Sequence, residues 1–512
     1  MNAIAHPRLL SLFGLAPLLA ALLLSTPAAG QDSAAAPEGK AHQNSPENSI
    51  VRVNATLQSY NFIRPWEKGA PQPRRGLGAV LEGNRVLVTA ELCVNSTYVE
   101  LEHPSTGAKT PAKIVARDYE ANLALLEPAG DENGVFDGLT ALEIDNSVTS
   151  GDQLDVWQVE DNGDGVSTTV DVLRVTVGRY FIPTSVFLLY QIKGSLQSRM
   201  NSFTLPVIKD GKLAGLLLSY SSKEQTATVL AAPVIEAFLA DLEDGDYQGF
   251  PNLGVSFAQT LDEQLRGFLG IENEEGGVFV RSVAKQSSAA NAGLKEGDVI
   301  LEIDGMPIDS RGNYNDEKYG KLGFSHLVRG GAHVGDEIEV LIVRDGKKQG
   351  IEVELQRKAP EEYLIDPYMF DRGPKYVIFG GLIFQELTLP YLQSFGDNWE
   401  TRAPFKLLFA NANPEEYEKE GRDKLVFLSN VLKTPSTLGY EGINSIVVTE
   451  VNGTFIRNIE DLAGALDAPP EDGVHRIEFN SYPKILYVDD QASRFVNQQL
   501  KQYGIGLLRR LE

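Results

Sequence analysis

One cysteine, six histidines and a shortage of basic residues set the first limits on this chain of 512 residues. Cys93 stands alone, so no disulfide forms within the chain and its folded parts must rest on apolar cores. It reads as a buried small apolar residue, without the basic neighbour a reactive thiol needs. The histidines, His6, His42, His103, His326, His333 and His475, are scattered, and no Cys/His cluster carries the spacing of a metal site. Asp161-Asn162-Gly163-Asp164-Gly165 has a calcium-loop composition but not the alternate-residue ligand spacing, and reads as a hairpin turn. Lys and Arg number 46 against 70 Asp and Glu, a formal net charge of -24. That balance opposes binding to nucleic acid or anionic membrane. No cofactor and no metal are implied.

Long apolar runs are equally scarce. The one at the start, Leu9 to Leu24, is interrupted by Gly14 and Pro17 and falls short of the roughly 20 residues a bilayer span needs. With Arg8 before it and Pro27-Ala28-Ala29-Gly30 after it, residues 1–30 read as a secretory signal peptide, an uncleaved anchor being the alternative. Residues 31–48, rich in Ala, Pro, Ser, Gln and Glu, read as a linker that buries no core. The expectation is an exported protein, periplasmic or extracellular, with no integral membrane span after signal cleavage.

What remains is long enough for about three or four domains. From Ile50 to about Leu242, short β-rich runs alternate with Gly, Asn and Asp turns, which suits a pair of small antiparallel barrels. Pro233, followed by spaced apolar residues to Ala240, marks a closing helix. Within this region stand Gly76-Leu77-Gly78-Ala79-Val80 and Arg85-Val86-Leu87-Val88-Thr89-Ala90-Glu91, then Asn122-Leu123-Ala124-Leu125-Leu126, then Met200-Asn201-Ser202-Phe203-Thr204-Leu205-Pro206. Further on, Ala292-Gly293-Leu294-Lys295-Glu296-Gly297-Asp298-Val299-Ile300-Leu301-Glu302-Ile303-Asp304-Gly305 supplies turn glycines, an Asp placed to cap the next turn and an alternating half-buried strand.

Together these segments resemble the Deg/HtrA family, trypsin-like serine proteases followed by PDZ domains, in the plant-type tandem-PDZ arrangement. The resemblance implies a mainly β fold. A trypsin-like double β-barrel over residues 49–246 leads into one clear PDZ domain at 249–357 and a divergent PDZ-like α+β domain at 363–512. It also exposes what is missing. Where the family has the general-base histidine this chain has Glu91, and where it has the orienting aspartate this chain has Asn122. A carboxylate with an ordinary pKa of about 4.3 is a poor proton acceptor for a serine hydroxyl at neutral pH, and a neutral amide does not stabilise an imidazolium. At the nucleophile, counting from the downstream hairpin selects Ser202 and counting from Pro206 selects Phe203. Either register loses the glycines that shape an oxyanion hole. His103, in the turn-like Glu102-His103-Pro104-Ser105-Thr106-Gly107, is expected to lie exposed and outside any catalytic role.

The resemblance further implies that the first PDZ domain takes an extended or C-terminal polypeptide segment as an added strand. Asn252, Leu253, Gly254 and Val255 would form the carboxylate loop and Phe257 would continue the strand. The facing helix would be residues 323–329, with Leu327 or Val328 lining the side-chain pocket. The polar insert Arg311–Lys321 is placed to cover that groove. In the second PDZ-like region, Phe379-Gly380-Gly381-Leu382-Ile383-Phe384 resembles a carboxylate loop and Ile446–Ile456 a core strand and turn. Spare apolar segments at Tyr376–Phe384 and Lys424–Leu432 are expected to serve a homo-oligomer. The functional expectation is an inactive pseudoprotease acting as a peptide- or protein-binding scaffold; an active endopeptidase of protein quality control is the alternative.

Overall fold

The computed structural model describes residues 46–160, 162–182, 185–196 and 204–512. The signal-peptide reading, the linker up to residue 45, and Met200 to Phe203 with Ser202 among them fall outside the described residues.

The first six strands are β1 (Ile50–Leu57), β2 (Gln72–Leu81), β3 (Arg85–Val88), β4 (Ser96–Glu102), β5 (Lys109–Asp118) and β6 (Leu123–Pro128), with a one-turn helix α1 (Ala90–Cys93) after β3. They close into a barrel in the order β1-β2-β3-β6-β5-β4. Its interior is filled by Val51, Val53, Val86, Val88, Leu92, Cys93, Leu101 and Leu126. Cys93 is fully packed, and burial pushes its thiol up to about 12. Gly78 in β2 is required by close packing: a β-carbon there would lie 2.2 Å from a methyl of Val86.

A second barrel follows: β7 (Gln153–Val159), β8 (Gly165–Arg179), β9 (Val186–Lys193), β10 (Leu205–Lys209), β11 (Lys212–Ser221) and β12 (Thr226–Ala231), closed as β10-β11-β12-β9-β8-β7. β7 and β8 are joined as a hairpin, with the Glu160 N–H on the Asp164 carbonyl at 2.9 Å. Helix α2 (Ala232–Ala240), opened by its Pro, seals the barrel with Ile235 and Phe238.

The third sheet comprises β13 (Val255–Gln259), β14 (Val278–Val283), β15 (Val299–Ile303), β16 (Met306–Pro307) and, after a hairpin of β17 (Asn313–Asp316) and β18 (Gly320–Gly323), β19 (Glu337–Arg344) and β20 (Lys347–Glu354). Its order is β13-β14-β15-β19-β20, which leaves β13 as an edge. Helices α3 (Glu263–Leu269), α4 (Ser288–Ala292) and α5 (Ser325–Arg329) pack beside it. Asp298 does not cap the following turn. It turns back to accept the Lys295 N–H at 2.7 Å and pairs with Arg344 at 2.6 Å, because a carboxylate with 1% exposure needs a cation. The insert is not a lid over the groove: Tyr314 and Leu322 of the β17–β18 hairpin join the apolar core shared with the second barrel, and β18 lies against β8.

The last sheet runs β27-β26-β24-β23-β22-β21-β28. Its strands are β21 (Tyr376–Phe379), β22 (Leu382–Glu386), β23 (Val426–Val431), β24 (Ile446–Val451), β25 (Thr454–Phe455), β26 (Val474–Phe479), β27 (Ile485–Asp489) and β28 (Arg509–Arg510), β25 pairing with β24. Four helices fill the long stretch after β22: α6 (Leu389–Gln393), α7 (Trp399–Arg402), α8 (Phe405–Ala412) and α9 (Pro414–Lys419). Helix α10 (Ile459–Asp467) packs on the sheet and α11 (Asp490–Gln502) precedes β28. The segments read as spare apolar surface are not spare. β21, β22 and β23 are adjacent strands of this sheet, and Tyr376, Phe384 and Phe427 are fully buried between its layers.

Candidate functional site

The sequence places Glu91 in the first turn of α1, directly after β3, and Asn122 at the corner between β5 and β6. The two meet. Asn122 adopts a left-handed backbone, φ 55°, a conformation Asn tolerates better than most residues, and it is 2% exposed. From there its main-chain carbonyl accepts the Ala90 N–H at 3.1 Å and its side-chain Oδ1 accepts the Glu91 N–H at 2.9 Å. These are the N–H groups a helix start leaves without partners, so Asn122 caps α1 from a distant strand. The Arg74 guanidinium donates to the Glu91 carbonyl at 2.6 Å. Burial pushes the Glu91 carboxyl above its ordinary range, partly opposed by Arg74 and the Asn122 amide.

Thr204, the first described residue after the nucleophile loop, reaches the same spot from the second barrel. It too has a left-handed backbone, φ 51°, and its hydroxyl is hydrogen-bonded to that of Thr89 and accepts the Thr89 N–H at 3.3 Å. Its carbonyl accepts the Leu77 N–H at 3.3 Å. The segments holding Glu91, Asn122 and Thr204 are thus drawn together by backbone and hydroxyl contacts, and among the described residues no histidine ring is hydrogen-bonded to Glu91 or Asn122. His103 is not exposed as expected. It is 7% accessible because its ring serves its own turn: Nδ1 accepts the N–H groups of Ser105 and Thr106, both at 3.1 Å, and Nε2 faces the Asp137 carbonyl at 3.2 Å. Among the described residues, no group of three His, Cys, Asp or Glu side chains is placed to hold a metal ion.

Beside this centre lies a feature the motifs gave no sign of, a strap formed by residues 366–372 between the third and fourth sheets. Asp371 and Asn95 exchange bonds, each backbone N–H donating to the other's side-chain oxygen at 2.7 and 2.8 Å. The Asp371 carboxylate also takes the Tyr119 hydroxyl and pairs with Arg117 at 3.1 Å. Phe370 packs against Tyr119 of the first barrel and Phe181 of the second, at ring separations of 4.6 and 5.2 Å. The strap therefore touches both barrels next to the Glu91 and Asn122 segments. The sequence singled out none of these residues, because the segment carries no motif and Asp371 finds Tyr119 and Asn95 252 and 276 positions away.

In the third sheet, Asn252, Leu253, Gly254 and Val255 lead into β13. Asn252 Oδ1 accepts the Gly254 N–H at 2.9 Å, and Leu253 is 4% exposed, its carbonyl taking the Ala289 N–H. Among the described residues β13 pairs only with β14, so its other edge keeps free main-chain groups. Phe257 points across to the facing helix, 5.0 Å from the ring of Phe324, which stands just before α5 rather than inside it. Leu327 is half-buried, whereas Val328 is 2% exposed in the core. The equivalent strand of the last sheet, β22, has neighbours on both sides: β21 occupies the edge that β13 leaves open, and β28 extends beyond it. The N–H of Gly380 in that loop is already held by Asn497 of α11 at 2.9 Å.

Comparison with known proteins bears on the whole chain. PDZ-domain models match residues 251–355 and 365–509. The chain is 29% identical over 477 residues to the chloroplastic protease Do-like 2 of Arabidopsis thaliana, covering 91% of this chain and 75% of that protein. To the periplasmic serine endoprotease DegP of Escherichia coli (strain K12) it is 24% identical, covering 77% of this chain and 72% of that protein. The solved structure of the HtrA-type protease AlgW with a decapeptide superposes with a TM-score of 0.45 at 19% identity, covering 61% of this chain and 97% of that one. The chain is a Deg/HtrA homologue, a trypsin-like double barrel followed by two PDZ domains.

Proposed function

We propose that this protein is an exported, catalytically inactive Deg/HtrA homologue that works as an oligomeric, peptide-binding scaffold. The observation that carries the reading is the use made of Asn122: its side chain caps α1 and orients no base, while the base position holds Glu91. Removing triad members alone leaves residual catalysis of about 10³–10⁴ over water, but that remainder depends on an oxyanion hole. The Phe203-Thr204-Leu205 run lacks the glycines for one. Exposure to a fluorophosphonate probe should leave Ser202 unlabelled, and casein should stay intact. Labelling of Ser202, or cleavage abolished by Ser202→Ala, would establish the rival reading, an active endopeptidase. That rival draws on the relatives named as proteases and on the raised Glu91 carboxyl, which moves toward the range of a working base.

Peptide capture is assigned to the first PDZ domain because its β13 edge is open while the corresponding edge of the second is occupied by β21. An added strand in a shallow groove gives affinity of micromolar order. Peptides with a free, apolar C-terminus should bind, and amidation should weaken binding several-fold because the loop donors near Leu253 and Gly254 lose their anion. Equal affinity for acid and amide in a calorimetric titration would show that the groove is used otherwise.

A further inference from the structure

Where the first PDZ domain, the strap and the barrels meet lies a partly open pocket of about 110 Å³. Three cations, Arg329 from α5 and the consecutive Arg357 and Lys358, line it against a single wall carboxylate, Glu120, with Ser185, Asn252, Tyr363 and Tyr368 also in the polar lining. Asp118 stands behind Arg357 at 3.9 Å. Glu362 and Glu418 stand near Lys358, whose ammonium also donates to the Lys285 carbonyl at 2.7 Å, so the positive excess belongs to the lining itself.

Its donors are not fully used. Arg329 is 6% exposed; Nη2 donates to Glu120 Oε2 at 2.9 Å, yet Nη1 has no hydrogen-bond partner. The guanidinium face rests on the Phe187 ring at 5.0 Å, which supports the plane but accepts no in-plane N–H. Arg357 Nε is likewise buried and unbonded, 3.7 Å from Glu120 Oε1, an oxygen the Tyr368 hydroxyl already reaches at 3.3 Å. A buried charged donor left without an acceptor is costly, and buried polar groups in folded proteins are nearly always satisfied. An oxyanion offers several acceptor atoms to forked guanidinium donors at once. The space suits one: at ~10–15 Å³ of such volume per water, 110 Å³ exceeds what five heavy atoms require.

We propose that this pocket, which borders the peptide loop at Asn252, is a binding site for a small free oxyanion of the phosphate or sulfate type. Bound there, the anion bridges Arg329 of α5 to Arg357 and Lys358, which follow β20, and competes with Glu120 of the barrel corner for both guanidinium groups.

The test is calorimetric titration of the full chain with inorganic phosphate, and then sulfate, against chloride at matched ionic strength, with thermal unfolding as a second readout. Saturable binding of about one ion per chain and a raised unfolding midpoint are expected. Lys358→Met should weaken binding about tenfold, and Glu120→Gln, which removes the competing carboxylate while keeping its shape, should tighten it. Phosphate no better than chloride, or affinities unchanged in both variants, would overturn the proposal. So would one-for-one displacement of phosphate by an apolar peptide acid but not by its amide, since the cavity would then belong to the peptide terminus.

Discussion

Asn122 and Glu91 serve the fold directly, whatever their part in the function proposed above. The Asn carbonyls hold the start of α1, so the pair stabilises the barrel whatever it does for chemistry. Asn122→Asp would keep the acceptor but set a second carboxylate against a partly buried one. Like charge and burial both raise a carboxyl pKa, and a raised pKa means stability that falls as pH climbs through it. The variant should therefore lose about 2 kcal/mol at pH 7 in urea unfolding and recover much of that loss by pH 5, still without hydrolysing casein. A deficit independent of pH would show that Asp is neutralised by another partner. The positions of Glu91 and Asn122 were legible in the sequence because motifs mark the segments that hold them. Their partners were not, since the Asn122 bonds join a turn to a helix start 31 residues away.

At the scale of elements, the sequence located strands, hairpins and the helix opened by Pro233 because periodicity and turn residues are local signals. Asp210-Gly211 and Asp304-Gly305, both with positive φ at each residue, form the tight hairpins their composition foretells. Segment fate was less legible. Tyr376–Phe384 looks as apolar whether it is an interface or an inner strand, and its pairing with β23 and β28 decided the matter. The end of β22 supplies a test of that burial. Glu386 is 7% exposed and accepts the Ile459 N–H at the start of α10 at 3.2 Å, and burial holds its carboxyl above the ordinary range. Its charged form thus costs stability at neutral pH, and lowering the pH through its folded pKa toward the unfolded value of about 4.3 removes that cost. Relative to Glu386→Gln, the native chain should gain thermal stability between pH 7 and pH 5. A gap that stays constant would mean the carboxyl is not perturbed in the fold.

For the whole molecule, the second barrel and first PDZ domain share one continuous apolar core, and the loop after β1 is held by the last sheet through Trp66 and through Arg510 on the Pro65 carbonyl at 3.1 Å. These contacts spread the stability of the PDZ domains into the barrels. The oligomer proposed above needs a different surface from the one expected. Phe405 and Phe409, one turn apart on α8, are 79% and 41% exposed, and Tyr482, in the loop that Lys406 grips through Ser481, is 87% exposed. Apolar groups gathered this way mark an interface. Phe405→Glu with Phe409→Glu should convert an oligomer to a monomer in light scattering with little change in unfolding midpoint; an unaltered mass would place the interface elsewhere.

The sequence by itself determined the double barrel and the two PDZ domains, and it placed Glu91 and Asn122 in the segments that meet between β3 and β6. Strand alternation, turn residues and motif positions are written locally, within a few residues of where they act. Only the tertiary structure decided which PDZ edge is open, that the insert braces the barrel, that the strap lies beside the Glu91 centre, and that Arg329, Arg357 and Glu120 converge on one chamber. Each of these depends on residues far apart in the chain, in the last case 209 positions, being brought together by burial of surfaces whose local composition gives no address.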